Sequence, residues 1–102
     1  MNPALRRELD ERNICDLERA IMADDFGGCV EALSESDLTQ AAILWAIGEQ
    51  VSTAALRQWA SGQCKVRASA WDGMRRLAAP GGWARVEEAR ERFGDGRGRW
   101  QR

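Results

Sequence analysis

Residues 36–62, SDLTQAAILWAIGEQVSTAALRQWASG, read as two short helices joined by a tight corner, and the rest of the chain can be arranged around them. Asp37 is a start signal for the first helix: its carboxylate is placed to accept the backbone N–H three residues on, while Gln40 reaches back in a capping-box pattern. Gly48 marks the stop. Between them Leu38, Ala41, Ala42, Ile43, Leu44, Trp45 and Ile47 leave so little polar surface that the helix is predicted to lie inside a small bundle. The second helix begins at Ser52, a favourable N-cap, with Val51 and Leu56 spaced to close as a hydrophobic staple, and it ends at Gly62. Helical spacing puts Leu56, Trp59 and Ala60 on one face, against the first helix. Thr53, Ala54, Arg57, Gln58 and Ser61 fall on the outward face.

Composition bounds what can surround this pair. A chain of 102 residues with 44% hydrophobic and 30% charged residues is of ordinary single-domain size, and its scarcity of β-branched and aromatic runs favours an all-α fold. The expected architecture is a bundle of five to six helices over residues 1–94, with residues 95–102 a flexible basic tail. The formal charge of −1 conceals an asymmetry: residues 1–50 carry eleven acids and four bases, residues 51–102 five acids and eleven bases. A basic C-terminal half suits contact with an anion; an acidic N-terminal half suits a basic partner. Cys15, Cys29 and Cys64 are odd in number and widely spaced, which implies no disulfide framework. The absence of His removes the commonest general base and a common zinc ligand, and no serine has a base to activate it. The expectation is a cytoplasmic protein that is not an enzyme, with no metal, no cofactor and no membrane span.

In chain order, Asn2-Pro3 opens a first helix: a capping side chain, then a residue with φ already set and no N–H to leave unpaired. Leu5, Leu9, Ile14, Leu17 and Ile21 make an apolar stripe with one slip near Asn13, and Arg6/Asp10, Arg7/Glu11 and Glu8/Arg12 stand at i, i+4. Either this chain or a second copy or partner must cover that stripe. Asp24 to Gly28 is expected to break the helix, with a short turn from Cys29 to Leu33 beyond. The nearby acids match neither a calcium loop nor a catalytic pair and read as solvated surface. Later helices are expected over Ser69–Ala79, with Trp71, Met74, Leu77 and Ala78 inward, and over Trp83–Phe93, with Val86, Ala89 and Phe93 inward and Glu87/Arg90 and Glu88/Arg92 as surface pairs. Trp45, Trp59, Trp71 and Trp83 all sit at core spacings. Trp100, among Arg97, Arg99 and Arg102, is a candidate partner anchor or part of a basic arm.

The order Gln-Ala-Ala, Gly, then Val-Ser-x-x-x-Leu-x-x-Trp-x-x-Gly resembles the helix-turn-helix of the phage-repressor (Cro and lambda-repressor-like) family, and KVRASAWDGMRRLAA is similar to that family's next helix. The resemblance spans about residues 36–79. It departs at the corner, where Glu49 and Gln50 stand between the Gly and Val-Ser. The resemblance implies a transcriptional regulator that reads double-stranded DNA as a homodimer. Arg57 would then read a guanine and Gln58 an adenine, beside Thr53 and Ala54, while Gln40, Ser52, Lys65 and Arg67 hold phosphates. The rival expectation is a small protein-binding inhibitor or anti-activator of a mobile element, acting through its acidic half, with Leu5, Leu9, Ile14, Leu17, Ile21 and Trp100 as candidate partner contacts.

Overall fold

In a computed structural model the described residues are 2–94. They form six helices and no strand: α1 (Pro3–Met22), α2 (Phe26–Glu35), α3 (Gln40–Ile47), α4 (Thr53–Ser61), α5 (Ala68–Ala78) and α6 (Trp83–Phe93). The all-α bundle expected from composition is the fold. The tail from 95 to 102, including Trp100 and its arginines, lies outside the described residues.

The N-terminal signal works as read. Asn2 Oδ1 accepts the Ala4 N–H at 2.8 Å, and Pro3 takes the first helical position. The slip at Asn13 is a buried polar link: its Nδ2 donates to Ser36 Oγ at 2.9 Å, and that hydroxyl donates to the Ala32 carbonyl at 3.0 Å, joining the middle of α1 to the end of α2. Leu17 is fully buried, and Ile14 and Ile21 pack on the same core. Most of the apolar stripe is therefore consumed by α2 and α5 of its own chain, which closes Leu17 to an outside partner; Leu5 stays 48% exposed.

Several local expectations are corrected. The break after α1 falls at Asp24, in left-handed backbone (φ 53°), and Asp25 caps α2 by accepting the Gly28 N–H at 2.9 Å. Gly27 and Gly28 therefore lie inside a ten-residue helix, where a short turn from Cys29 was expected. Gly27 is needed for close approach, because a Cβ there would stand 2.5 Å from the Ala60 carbonyl oxygen of α4. Asp37 does not cap α3. Its own φ is 67°, Thr39 Oγ1 caps by accepting the Ala42 N–H at 3.2 Å, and the Asp37 carboxylate instead takes Arg6 Nη2 at 2.9 Å. The i, i+4 pairs expected for Arg6/Asp10 and the pair Glu87/Arg90 likewise give way to a longer-range clamp: Arg90 donates to both Asp10 oxygens and, through Nε, to the Ser36 carbonyl at 2.8 Å. Arg92 leans over the Trp45 ring (4.9 Å to the centroid). A guanidinium that reaches a partly buried carboxylate and a free carbonyl gains more than one exposed pair along its own helix.

The core lies between α3 and the helices around it. Ala42, Ile43, Leu44, Ala46 and Ile47 are all buried, so α3 is enclosed on most sides, while Ala41 is exposed. Gly73 of α5 sits directly on the Ile47 backbone, which lets the two helices close. Phe26 ties α2 to both neighbours by edge-on contacts, with ring centroids 5.9 Å from Trp59 and 5.3 Å from Trp71. Trp59 and Trp83 are buried as expected; Trp45 and Trp71 are half-buried on the rim.

Candidate nucleic-acid interface

The corner between α3 and α4 is built by backbone geometry. Gly48 adopts φ 78°, ψ 26°, the left-handed conformation that glycine takes without a Cβ penalty, and the Glu49 N–H turns back to the Leu44 carbonyl at 2.9 Å. The chain then crosses Glu49–Val51 to Ser52, whose Oγ accepts the Ala55 N–H at 3.1 Å and starts α4. Gly62 ends α4 in the same way as Gly48 ends α3, with φ 83°.

Periodicity decides which side of α4 is outside. Leu56 and Trp59 are buried; Ala54, Arg57, Gln58 and Ser61 are exposed, and Thr53 is half-buried. The outward row expected from spacing is therefore solvent-facing. Glu49, the acidic residue of the longer corner, does not cover it. Its carboxylate accepts a hydrogen bond from Ser69 Oγ at 2.7 Å, directing the charge toward the start of α5.

The candidate contacts fall into two groups. Gln40, at the first position of α3, meets α4: its Oε1 accepts from Arg57 Nη1 at 3.1 Å, which holds the guanidinium over the junction of the two helices. Gln58 Oε1 accepts from Cys64 Sγ at 3.6 Å, a weak contact that leaves its amide nitrogen free to donate. Lys65 and Arg67 are exposed in the connector before α5, and neither makes an ion pair among the described residues. Ser52 uses its oxygen as a cap but keeps a hydroxyl proton to donate. One flank is acidic: Asp25, the cap of α2, and Glu31 within it line an open groove of about 490 Å³ together with Gln40, Arg57, Ala60 and Ser61.

Sequence reading missed the opposite end of α3. Three arginines from α5 and α6 gather there. Arg76 Nη2 donates to the Ile47 carbonyl at 3.3 Å; Arg85 donates Nε to Ala46 (3.3 Å) and Nη2 to Trp45 (2.9 Å). Arg85 also stacks on the Trp45 ring at 3.7 Å, with Arg92 over the same ring. Arg76 and Arg85 thereby reach the Ile47 and Ala46 carbonyls at the helix end, and Arg85 adds a second donor to the Trp45 carbonyl, which already accepts the Gly48 N–H. Their positions, about 30 to 45 residues downstream, carry no local signal of it.

The cysteines divide by burial. Cys15 and Cys64 are exposed and Cys29 is buried. Burial first, and the nearby Asp25 charge second, push the Cys29 thiol up to about 12. No helix among the described residues is long and apolar enough to cross a membrane. Comparison of the chain with protein-family models, with curated proteins and with solved structures finds no match.

Proposed function

We propose that the chain is a sequence-specific DNA-binding regulator that lays α4 in the major groove. The observation that carries this reading is the outward row of α4, Ala54, Arg57, Gln58 and Ser61, standing exposed on a helix whose other face is anchored by Leu56 and Trp59. Arg can pair with guanine O6 and N7, and Gln with adenine N6 and N7; each good pair is worth about 1–3 kcal/mol of discrimination. Gln40, Ser52, Lys65 and Arg67 flank the row with groups suited to phosphate oxygens. One such module covers few base pairs, so two copies on a palindrome are expected.

The test is a mobility shift with genomic fragments at two salt concentrations against random competitor. The expected result is saturable, competitor-resistant binding that weakens steeply with salt, and a loss of about 5- to 150-fold in specific affinity for Arg57→Ala. Specific binding unchanged in Arg57→Ala would refute the assignment.

A second reading is favoured by one feature. Between α1 and α2, an open groove of about 400 Å³ gathers Asp16, Asp25, Glu31 and Glu35 around a single Arg19. That surface suits a basic protein partner, and the chain would then act as an inhibitor without DNA. Absence of DNA binding at micromolar protein, with capture of a partner lost on Glu31→Lys and Glu35→Lys together, would select this alternative.

A further inference from the structure

A cleft at the C-terminal end of α3 differs in charge from the acidic grooves beside α1 and α2. It is open, of about 550 Å³, and is walled by Ala46 and Gly48 of the corner, Arg76, Leu77 and Ala79 of α5 and its end, the Pro80–Gly82 turn, and Arg85 of α6. Its lining includes two guanidiniums and no carboxylate. Neither arginine makes a salt bridge among the described residues. Arg76 uses Nη2 on the Ile47 carbonyl, and Arg85 uses Nε and Nη2 on Ala46 and Trp45, so each keeps donors that those bonds do not occupy. Arg85 is also held over the Trp45 ring, its Cζ 3.7 Å from the centroid. A guanidinium fixed by two carbonyls and a ring has already lost most of its rotamer freedom, so binding there costs less ordering. The remaining wall, from Ala46, Leu77, Ala79 and Pro80, is apolar.

The geometry points to a binding site for a small organic anion, a carboxylate on an apolar body, with Arg76 and Arg85 as the anion contacts and the Ala46–Leu77–Pro80 wall taking the body. The volume lies within the range of small-ligand sites, about 300–1,000 Å³. The site is separate from the outward row of α4 and stands whether or not the chain binds DNA. It does adjoin the corner: Gly48 is part of its lining, and the carbonyls that Arg76 and Arg85 hold are the last three of α3. A bound anion that draws on these arginines therefore acts where the angle between α3 and α4 is set.

The test is a titration of the intact chain with benzoate at fixed ionic strength, following backbone amide shifts of Gly48, Arg76–Gly82 and Arg85 and the Trp45 indole by NMR. Saturable shifts confined to those groups, with a Kd below about 10 mM, are expected. Acetate, which lacks the apolar body, is expected to bind about tenfold more weakly. Arg85→Gln removes an anion contact but also a cap of α3, so the deciding variant is Ala79→Asp. It places a carboxylate at an exposed position on the wall without replacing either arginine, where it competes with the ligand for them, and should weaken benzoate at least about tenfold. Unsaturated, chain-wide shifts would overturn the site; equal affinity in Ala79→Asp would overturn its location; equal affinity for acetate and benzoate would overturn the ligand class.

Discussion

Replacing Gly73 by alanine sets two physical effects against each other, and the structure decides the sign. Gly73 lies in the middle of α5, where helix propensity alone favours alanine by about 1 kcal/mol. A Cβ at this position, however, would stand 2.7 Å from Ile47 Cβ and 2.9 Å from Ile47 Cα, and closer still to the Ile47 carbonyl oxygen. Comfortable carbon–carbon separations are about 3.5–4.0 Å, so α3 and α5 would have to part by roughly 1 Å. The obstruction is backbone, which has no rotamer through which to yield. Overpacking of this kind costs about 1–3 kcal/mol, and a backbone obstruction belongs at the upper end. Net destabilisation of about 2 kcal/mol is expected, a fall in Tm of roughly 10 °C for a domain of this size. Thermal and urea unfolding followed by circular dichroism would measure it. Gly62→Ala is the control: no atom lies within 4 Å of the added Cβ, and only the left-handed backbone (φ 83°) opposes the change, at roughly 1 kcal/mol. A Gly73→Ala protein as stable as the parent, or more so, would refute the packing argument.

Arg90→Ala removes two contacts to Asp10 and one to the Ser36 carbonyl from side chains only 14% and 13% exposed; a loss of about 2–4 kcal/mol in urea unfolding is expected, with Asp10→Asn losing less because the Ser36 contact survives. Cys29 carries a folded-state pKa of about 12, raised above its ordinary 9.0, so its contribution to stability is complete below pH 9 and is lost as pH rises toward 12; Cys29→Ala should flatten that part of the stability–pH curve. A thiol reagent at pH 8 should titrate the exposed Cys15 and Cys64 quickly and Cys29 only at the rate of unfolding. Glu31→Gln removes a carboxylate from the groove beside Arg57; an increase in DNA affinity of about 1.5- to 5-fold is expected at low salt, and unchanged affinity would show that the flank does not face the duplex.

Element placement was largely legible because periodicity and punctuation agreed. Asn2-Pro3, Ser52, Gly48 and Gly62 act where their chemistry says they should, since capping is decided within four residues. The errors arose where a distant group outbid a near one. Asp37 has the right spacing to cap α3, but Arg6, 31 positions away, holds its carboxylate while Thr39 caps. The Gly27-Gly28 pair reads as a breaker by propensity, yet tertiary packing on Ala60 makes Gly27 the residue that lets α2 and α4 cross. The outward row of α4 was legible for the same reason as the core: burial of Leu56 and Trp59 fixes the opposite face. The arginines at the end of α3 were not, because nothing in a local window says where a long, exposed side chain will find a carbonyl 29 to 40 residues away.

These placements make α3 the element through which α4 is presented. Its first residue, Gln40, holds Arg57; its last carbonyls are held by Arg76 and Arg85; Gly73 fixes its distance from α5. The longer corner does not swing free, because Glu49 is tied at its backbone to Leu44 and at its carboxylate to Ser69. A change in how α4 is set in the fold therefore does not need to touch α4. Ser69→Ala releases the Glu49 carboxylate with almost no effect on the core, since Ser69 is exposed and its lost bond is worth about 1 kcal/mol. If the corner sets the angle of α4, this variant should keep its Tm within a few degrees and still weaken specific DNA binding by about 2- to 10-fold, a larger effect than Gln63→Ala in the neighbouring connector. Equal effects of the two substitutions on DNA binding would mean that the corner holds itself, through Gly48 and the Ser52 cap alone.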